Sequence, residues 1–140
     1  MPDWQAEVEL EVPFHDIDIM GVAWHGHYVK YFEAGRGALL RALDYDYPQM
    51  RDSGYIWPVV ECQLKYLRPA RYGQKLRVKA RLLEYENRIK IGYEILDAAS
   101  GERLTRGYTI QVAVAAASEE LQFVSPTALL ERVERSPLDV

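Results

Sequence analysis

From Glu7 to Phe14 polar and apolar residues alternate. Glu7, Glu9 and Glu11 fall on one side, and Val8, Leu10, Val12 and Phe14 on the other. A period of two is that of a half-buried strand. At Tyr28 the period changes. Tyr28, Phe32, Gly35, Leu39 and Leu43 recur at helical spacing, with Tyr31, Ala38 and Ala42 beside them and Lys30, Glu33 and Arg41 on the wet side. This predicts a helix of roughly five turns that ends before Pro48. Gly35 and Gly37 each cost such a helix about 1 kcal/mol against alanine, so close approach to another backbone is expected there.

The remainder returns to a period of two. Val60, Cys62, Leu64 and Tyr66 form one apolar row, with Cys62 placed in the core, and Pro69 and Tyr72-Gly73 turn the chain. Leu76, Val78, Ala80 and Leu82 form a second row, and Ile89, Ile91, Tyr93 and Ile95 a third. A hairpin turn over Asp97–Glu102 leads to a fourth row of Leu104, Tyr108, Ile110, Val112 and Val114. Leu121–Val124 reads as a last short strand. Ser125-Pro126 reads as an N-cap and first position of a C-terminal helix. Strand, long helix, then four or five antiparallel strands is an α+β order with one helix against one sheet. Neither repeat nor linker interrupts it, so one domain is expected over residues 1–140. A sheet that wraps a single helix leaves edges and an open face, which predicts a homo-oligomer, dimer or tetramer.

Composition narrows the function. Apolar residues make up 49% of the 140 residues, enough for one core. With 21 acidic and 17 basic residues the net charge is -4, which argues against a generally basic nucleic-acid binder. A single cysteine excludes an internal disulfide and a cysteine-based zinc finger. No apolar run approaches the ~18 residues of a membrane span. Met1–Glu7 lacks the basic start and apolar stretch of a signal peptide, so a cytoplasmic protein is expected.

Chemistry concentrates between residues 15 and 28. All three histidines, His15, His25 and His27, lie there with Asp16 and Asp18. One reading is a helix start, with an aspartate accepting backbone N–H bonds and Gly21 permitting a turn. A second is a metal site, but no His-Glu-x-x-His or Glu-x-x-His spacing supports it. A third is acyl chemistry. Unpaired N–H groups of the first helical turn, near Trp24–His27, polarise a carbonyl oxygen. Asp18 just upstream attacks the carbonyl carbon or activates water, and His25 orients a group or donates a proton. No Gly-x-Ser-x-Gly motif supports a serine hydrolase.

The stretch Asp16-Ile17-Asp18-Ile19-Met20-Gly21-Val22-Ala23-Trp24-His25-Gly26-His27-Tyr28, followed by Tyr31-Phe32-Glu33-Ala34-Gly35-Arg36, resembles the signature of the hot-dog-fold acyl-CoA thioesterases. The branch is that of 4-hydroxybenzoyl-CoA thioesterase and the thioesterases encoded with Tol–Pal envelope genes. Tyr66-Leu67-Arg68-Pro69-Ala70-Arg71-Tyr72-Gly73 resembles that branch's later turn. The resemblance implies a long central helix wrapped by an antiparallel sheet of five to six strands. It also implies dimers with a continuous sheet, often paired into tetramers, with sites at the subunit interface. Asp18 takes the position of the catalytic carboxylate, Gly21 that of the turn, and His25 the position whose backbone N–H polarises the thioester carbonyl. His27 stands where members carry Asn or Ser, and Ile17 where many carry Thr or Cys. Both departures bear on substrate choice.

Lys75, Arg77, Lys79, Arg81, Arg88 and Lys90 place six of the 17 basic residues on one sheet face. They read either as a solvated, edge-protecting face or, at Arg88 and Lys90, as a grip on coenzyme A phosphates. Pro58, Val59, Val60 and Glu61 are expected to face the helix start and line the acyl pocket. Trp24 is a further candidate for substrate contact, although it, Tyr28 and Trp57 read more readily as core than as pocket. Glu33 reads as a structural ion pair. The expected function is hydrolysis of an acyl-CoA thioester, with no cofactor and no metal. The rivals are a hot-dog hydratase or dehydratase and a non-catalytic acyl-CoA binding module.

Overall fold

The computed structural model describes residues 3–135. The expected domain of residues 1–140 runs past them at both ends, so Met1 and Pro2 of the N-terminal reading lie outside the described residues. Strand β1 (Gln5–Glu11) leads through a 3-10 turn (Phe14–Asp16) and a loop to a second 3-10 turn (His25–His27), which runs straight into helix α1 (Tyr28–Ala42). Then come α2 (Tyr47–Asp52), β2 (Tyr55–Ile56), β3 (Val59–Tyr66), β4 (Lys75–Glu84), β5 (Ile89–Asp97), β6 (Arg103–Gln111), β7 (Val114–Ala115) and α3 (Thr127–Glu134). Five strands form one antiparallel sheet in the order β1-β4-β5-β6-β3, and β2 and β7 pair as a separate ribbon.

The core lies between α1 and the middle of this sheet. Leu76, Val78, Ala80 and Leu82 of β4 and Ile89, Ile91, Tyr93 and Ile95 of β5 are all buried, as their alternation predicts. Helix α1 packs on β1, β4 and β5 and buries Tyr28, Tyr31, Phe32, Gly35, Leu39 and Leu40. The Phe32 ring stacks on Tyr93 at 4.4 Å between centroids. Each large side chain buried in this way contributes about 1.5–3 kcal/mol. A Cβ at Gly35 would stand 2.8 Å from Val78 Cγ1, so the missing side chain lets the helix settle on β4. At Gly37 a Cβ would meet only the tip of Arg41. The expected approach of another backbone is therefore corrected: the neighbour at Gly35 is a side chain, and Gly37 has no close partner on the sheet.

Several expected boundaries move. Helix α1 stops at Ala42, and Asp44 turns the chain with φ 57°. Pro48 does not end a helix but stands in the first turn of α2, which is closed by a reciprocal Asp46–Gln49 capping box. Phe14 is exposed in the 3-10 turn rather than continuing the apolar row of β1. In β6, Tyr93 stands opposite Gly107, so the inward row is Thr105, Gly107, Thr109 and Gln111, and Tyr108 faces outward. The inward hydroxyls and amide are polar, which hid the row: Tyr93 and Thr109 share a 2.8 Å hydrogen bond, and Gln111 Nε2 donates to the Trp57 carbonyl at 2.8 Å. Leu121–Val124 forms no strand; Leu121 makes one isolated bridge to Val114. Pro126, not Ser125, occupies the N-cap of α3.

Strand β3 departs most from expectation. Its row of Val60, Leu64 and Tyr66 is not buried, and Cys62 is exposed. The cause is topological. β3 is a sheet edge, and α1 leans toward the opposite flank over β1, β4 and β5. The Tyr28 ring meets Tyr66 at 5.1 Å and Leu64 is partly buried against the core, while Val60 and Cys62 stay exposed.

Two glycines in one helix should respond in opposite ways. Gly35→Leu forces Val78 aside and is expected to lower stability by about 1–3 kcal/mol. Gly37→Ala only displaces the end of Arg41 and should raise stability by about 0.5–1 kcal/mol. Urea unfolding of both variants checks this; equal effects would contradict the packing of α1 on β4.

Candidate active site

The segment between β1 and α1 folds back on itself. Asp18 N–H donates to the Val22 carbonyl at 2.9 Å, and Gly21 N–H to the Asp18 carbonyl at 3.0 Å. Ile17 and Ala23 form a bridge across this small hairpin. Gly21 closes its tip with φ +79°, a conformation that favours glycine. Ala23 N–H donates to the Ala70 carbonyl at 2.8 Å, and Val22 bridges Arg71, which staples the hairpin to the segment after β3. The tip carries Ile19 and Met20 into solvent, while Asp18, half-buried, accepts Met20 N–H on Oδ1 at 2.8 Å.

Asp18 lies in a cleft of about 300 Å³, with Val22, Ala23, His25, Tyr28, Tyr66, Leu67, Arg68 and Pro69 around it. Two predicted residues, Asp18 and His25, are thus brought together. The cleft sits at the start of the second 3-10 turn. His27 N–H returns to the Trp24 carbonyl at 2.9 Å, so the N–H groups of His25 and Gly26, the two residues before it, have no partner within the turn. These are the oriented donors that a helix N-terminus offers to a developing negative charge. The Tyr66 hydroxyl donates to the His25 carbonyl at 2.7 Å and fixes the turn from β3. Gly26 is required by Trp24, whose indole lies across it: a Cβ there would fall 2.1 Å from the ring.

The tyrosines of the cleft stay protonated. Burial pushes the Tyr28 phenol up, the Ala70 N–H that its oxygen accepts at 3.0 Å pulls the other way, and the neighbouring Asp18 charge adds to the rise. Burial, Tyr28 and Cys62 push Tyr66 up in the same sense. Arg68 is engaged by Glu102 at 2.8 Å. The cleft therefore presents one carboxylate, two neutral phenols and a pair of free backbone donors.

Asp16 has a different surrounding. Its side chain is sealed from solvent. Lys30 Nζ donates to Oδ1 at 2.7 Å and the Tyr31 hydroxyl to Oδ2 at 2.6 Å. His15 and His27 place Nε2 at 3.6 and 3.8 Å from Oδ1. Burial pushes the Asp16 carboxyl up, but the hydrogen bonds from Lys30 and Tyr31 and the charge of Lys30 outweigh it and hold the group below its ordinary value. Lys30, expected only on the wet side, is the partner of this buried charge. Among the described residues no three His, Cys, Asp or Glu side chains gather to hold a metal ion.

The other predicted residues lie elsewhere. Trp24 is 47% exposed, not core, with its ring against His25 and His27. Tyr28 and Trp57 are core, and Glu33 pairs with Arg36 at 3.2 Å. Pro58 and Val59–Glu61 do not face the start of α1 within one chain. They begin β3, about 16–23 Å of extended strand from the cleft residue Tyr66, and Pro58 shares a hollow with Arg36 and Leu40 of the later part of α1. Arg88 and Lys90 gather around Glu84 at 3.2 and 3.8 Å. Lys90 also stands 4.6 Å over the Tyr108 ring, whose hydroxyl donates to Glu61. Glu61, Arg88 and Lys90 thus form one cluster, separate from Asp18 and His25. Arg77 and Arg81 on the same face are engaged by Glu7 and Asp3. Reading single residues for chemistry missed Tyr66 and Arg68 of the cleft, although both stand in the second stretch that carried the resemblance.

A sequence model of the Thioesterase-like superfamily matches residues 12–134, which span the hairpin, the cleft and the whole sheet except β1. The chain belongs to that superfamily. YneP of Bacillus subtilis (strain 168), named as a proposed acyl-CoA thioesterase, is 33% identical over 92 residues, 65% of this chain and 67% of that protein. The structure of the DHNA-CoA thioesterase from Staphylococcus aureus superposes with a TM-score of 0.77 at 29% identity, over 84% of this chain and 78% of that one. Slr0204, a 1,4-dihydroxy-2-naphthoyl-CoA thioesterase from Synechocystis, gives a TM-score of 0.82 at 21% identity, over 92% and 95% of the two chains; this match speaks for the fold alone. The expected α+β hot-dog fold and its assignment to the thioester hydrolases stand.

Gly26→Ala should drive the Trp24 indole off the turn and change the tryptophan emission of a folded protein. Unchanged emission together with unchanged near-ultraviolet circular dichroism would show that the turn has room that the 2.1 Å approach denies.

Proposed function

We propose that the chain hydrolyses acyl-CoA thioesters in the cleft at the start of α1. The observation that carries the reading is the placement of the Asp18 carboxylate in one cleft with His25, which opens the 3-10 turn leading into α1. The thioester carbonyl oxygen sits against those donors, where its negative charge grows in the transition state. Asp18 then either attacks the carbonyl carbon, forming an anhydride that water opens, or takes a proton from an attacking water. Either way the C–S bond breaks, a C–O bond from water forms, and the products are a free acid and coenzyme A as its thiol. The site contribution of His25 is its backbone N–H; its exposed imidazole is free to meet the leaving group.

The remaining predicted contacts fit a site shared between copies. Pairing two β3 edges about a two-fold axis lays the Val59 end of one strand beside the Tyr66 end of the other. Val59, Val60 and Glu61 of one copy then approach the Asp18 cleft of the second and line its acyl pocket, with Trp24 and Gly21 at the rim. Arg88 and Lys90, gathered near Glu61, come with them and hold coenzyme A phosphates. This reading makes residues 1–140 one domain and its working form a homodimer or homotetramer. Among the described residues no helix is long and apolar enough to cross a membrane. An acyl-CoA substrate and an unpaired thiol support work in the cytoplasm.

Two experiments test the reading. Asp18→Asn keeps the shape of the side chain but is neither base nor good nucleophile, so turnover should fall at least ~100-fold while acyl-CoA binding persists. Near-wild-type turnover by a folded variant sinks the assignment of Asp18. Replacing both Arg88 and Lys90 by alanine should raise the KM for acyl-CoA on the order of tenfold with little change in kcat. The effect should vanish for a short thioester without the nucleotide; an equal loss there would mean that these residues serve folding or assembly.

A further inference from the structure

We infer that Asp16 is a positioning residue that sets where Asp18 stands against the start of α1 and cancels the charge that Asp18 would otherwise face. The inference rests on the proposed role of Asp18. Asp16 ends the first 3-10 turn, and Asp18 follows it by two residues, on the far side of the Ile17–Ala23 bridge. Asp18 lines the cleft together with Tyr28, the first residue of α1. Asp16 stands one step back and grips Lys30 and Tyr31, in the same first turn of the helix. Its carbonyl meanwhile accepts Trp24 N–H at 3.0 Å, closing the other strand of the hairpin onto the 3-10 turn. One residue thus ties the carboxylate's strand, the oxyanion donors' turn and the helix together.

The same contacts govern charge. Asp16 is fully sealed, and a sealed carboxylate this close to Asp18 would resist the second ionisation unless a cation answered it. Lys30 answers it directly, with His15 and His27 on the same oxygen and the Tyr31 hydroxyl on the other. The groups that face Asp18 itself are Tyr28, His25, Tyr66 and Arg68, the last already paired with Glu102. Nothing in the thioesterase chemistry calls for Asp16 or Lys30 to touch substrate. The pairing of half-exposed Lys30 with sealed Asp16 holds a working carboxylate in place and leaves it as the only uncompensated charge of the hairpin.

The test uses the full-length protein and an acyl-CoA that it hydrolyses, and reads kcat, KM and the acid limb of the pH–rate profile. Asp16→Asn leaves the Lys30 cation unanswered and should move the acid limb to lower pH. Lys30→Met leaves Asp16 unanswered and should move it upward, by about one pH unit. Each single change loosens the hairpin and should lower kcat by about tenfold to 100-fold while KM stays within about threefold. The double variant Asp16→Asn with Lys30→Met should return the limb to its wild-type position. Folded single variants with wild-type kcat and unmoved limbs overturn the inference. So does a loss of kcat without opposite movements of the limb, which marks Asp16 as merely structural. If either single variant does not fold, Tyr31→Phe gives the answer: it keeps the ion pair and removes one hydrogen bond, and should cost about tenfold in kcat with the limb in place. Wild-type kcat in that variant overturns the clamp. Asp18→Asn on the same substrate separates the two proposals, because retained turnover there sinks the role of Asp18, whereas its loss beside wild-type-like Asp16 variants sinks only the inference about Asp16.

Discussion

Everything in this chain depends on the burial of one helix along one side of a sheet. Helix α1 presses Phe32 onto Tyr93 and Gly35 onto Val78, and this contact leaves the helix no freedom to slide or turn. Its N-terminus is therefore a fixed point. A small hairpin is then hung from that point by a buried carboxylate and from the segment after β3 by backbone hydrogen bonds. A group that must meet a substrate with sub-ångström accuracy is useful only when its support is as rigid as this. The carboxylate proposed for the reaction sits on a loop, but the loop is braced on three sides.

The same packing explains what the molecule leaves open. Because α1 lies over β1, β4 and β5, the flank at β3 carries a bare edge and an inner face left exposed at Val60 and Cys62. Soluble proteins shield such edges or pair them. The proposed pairing of two such edges would cover the exposed Val59 and Val60 and bring the Glu61, Arg88 and Lys90 cluster of one copy toward the Asp18 cleft of the other. In this account the fold and the active site are incomplete for the same reason and are completed by the same contact.

Much of this was legible in the sequence, where local periodicity and burial agree. The rows of β4 and β5 and the apolar stripe of α1 were readable because each faces a single environment. The β6 row was misread because its inward positions are Thr105, Gly107, Thr109 and Gln111, two of which are held inside by hydrogen bonds, Thr109 with Tyr93 and the Gln111 amide nitrogen with the Trp57 carbonyl. Burial of β3 was expected from an apolar pattern of which one chain partly buries only Leu64. Pro48 looked like a stop because the capping pair Asp46 and Gln49 around it was overlooked. In the site, Asp18 and His25 stood out by motif and spacing. The buried pairing of Asp16 with Lys30 did not, since a lysine fourteen residues away on a helix reads as a solvated charge until the hairpin folds back onto it.

The central claim is that this chain breaks thioesters rather than hydrating or merely holding their acyl groups. It is tested most directly by incubating the purified wild-type protein with a panel of aromatic, saturated and enoyl-CoA esters and titrating the free thiol released. The account predicts catalytic release of coenzyme A in step with free acid from at least one class of ester. Hydration of the enoyl ester without any thiol, or tight acyl-CoA binding with no turnover across the panel, would contradict it.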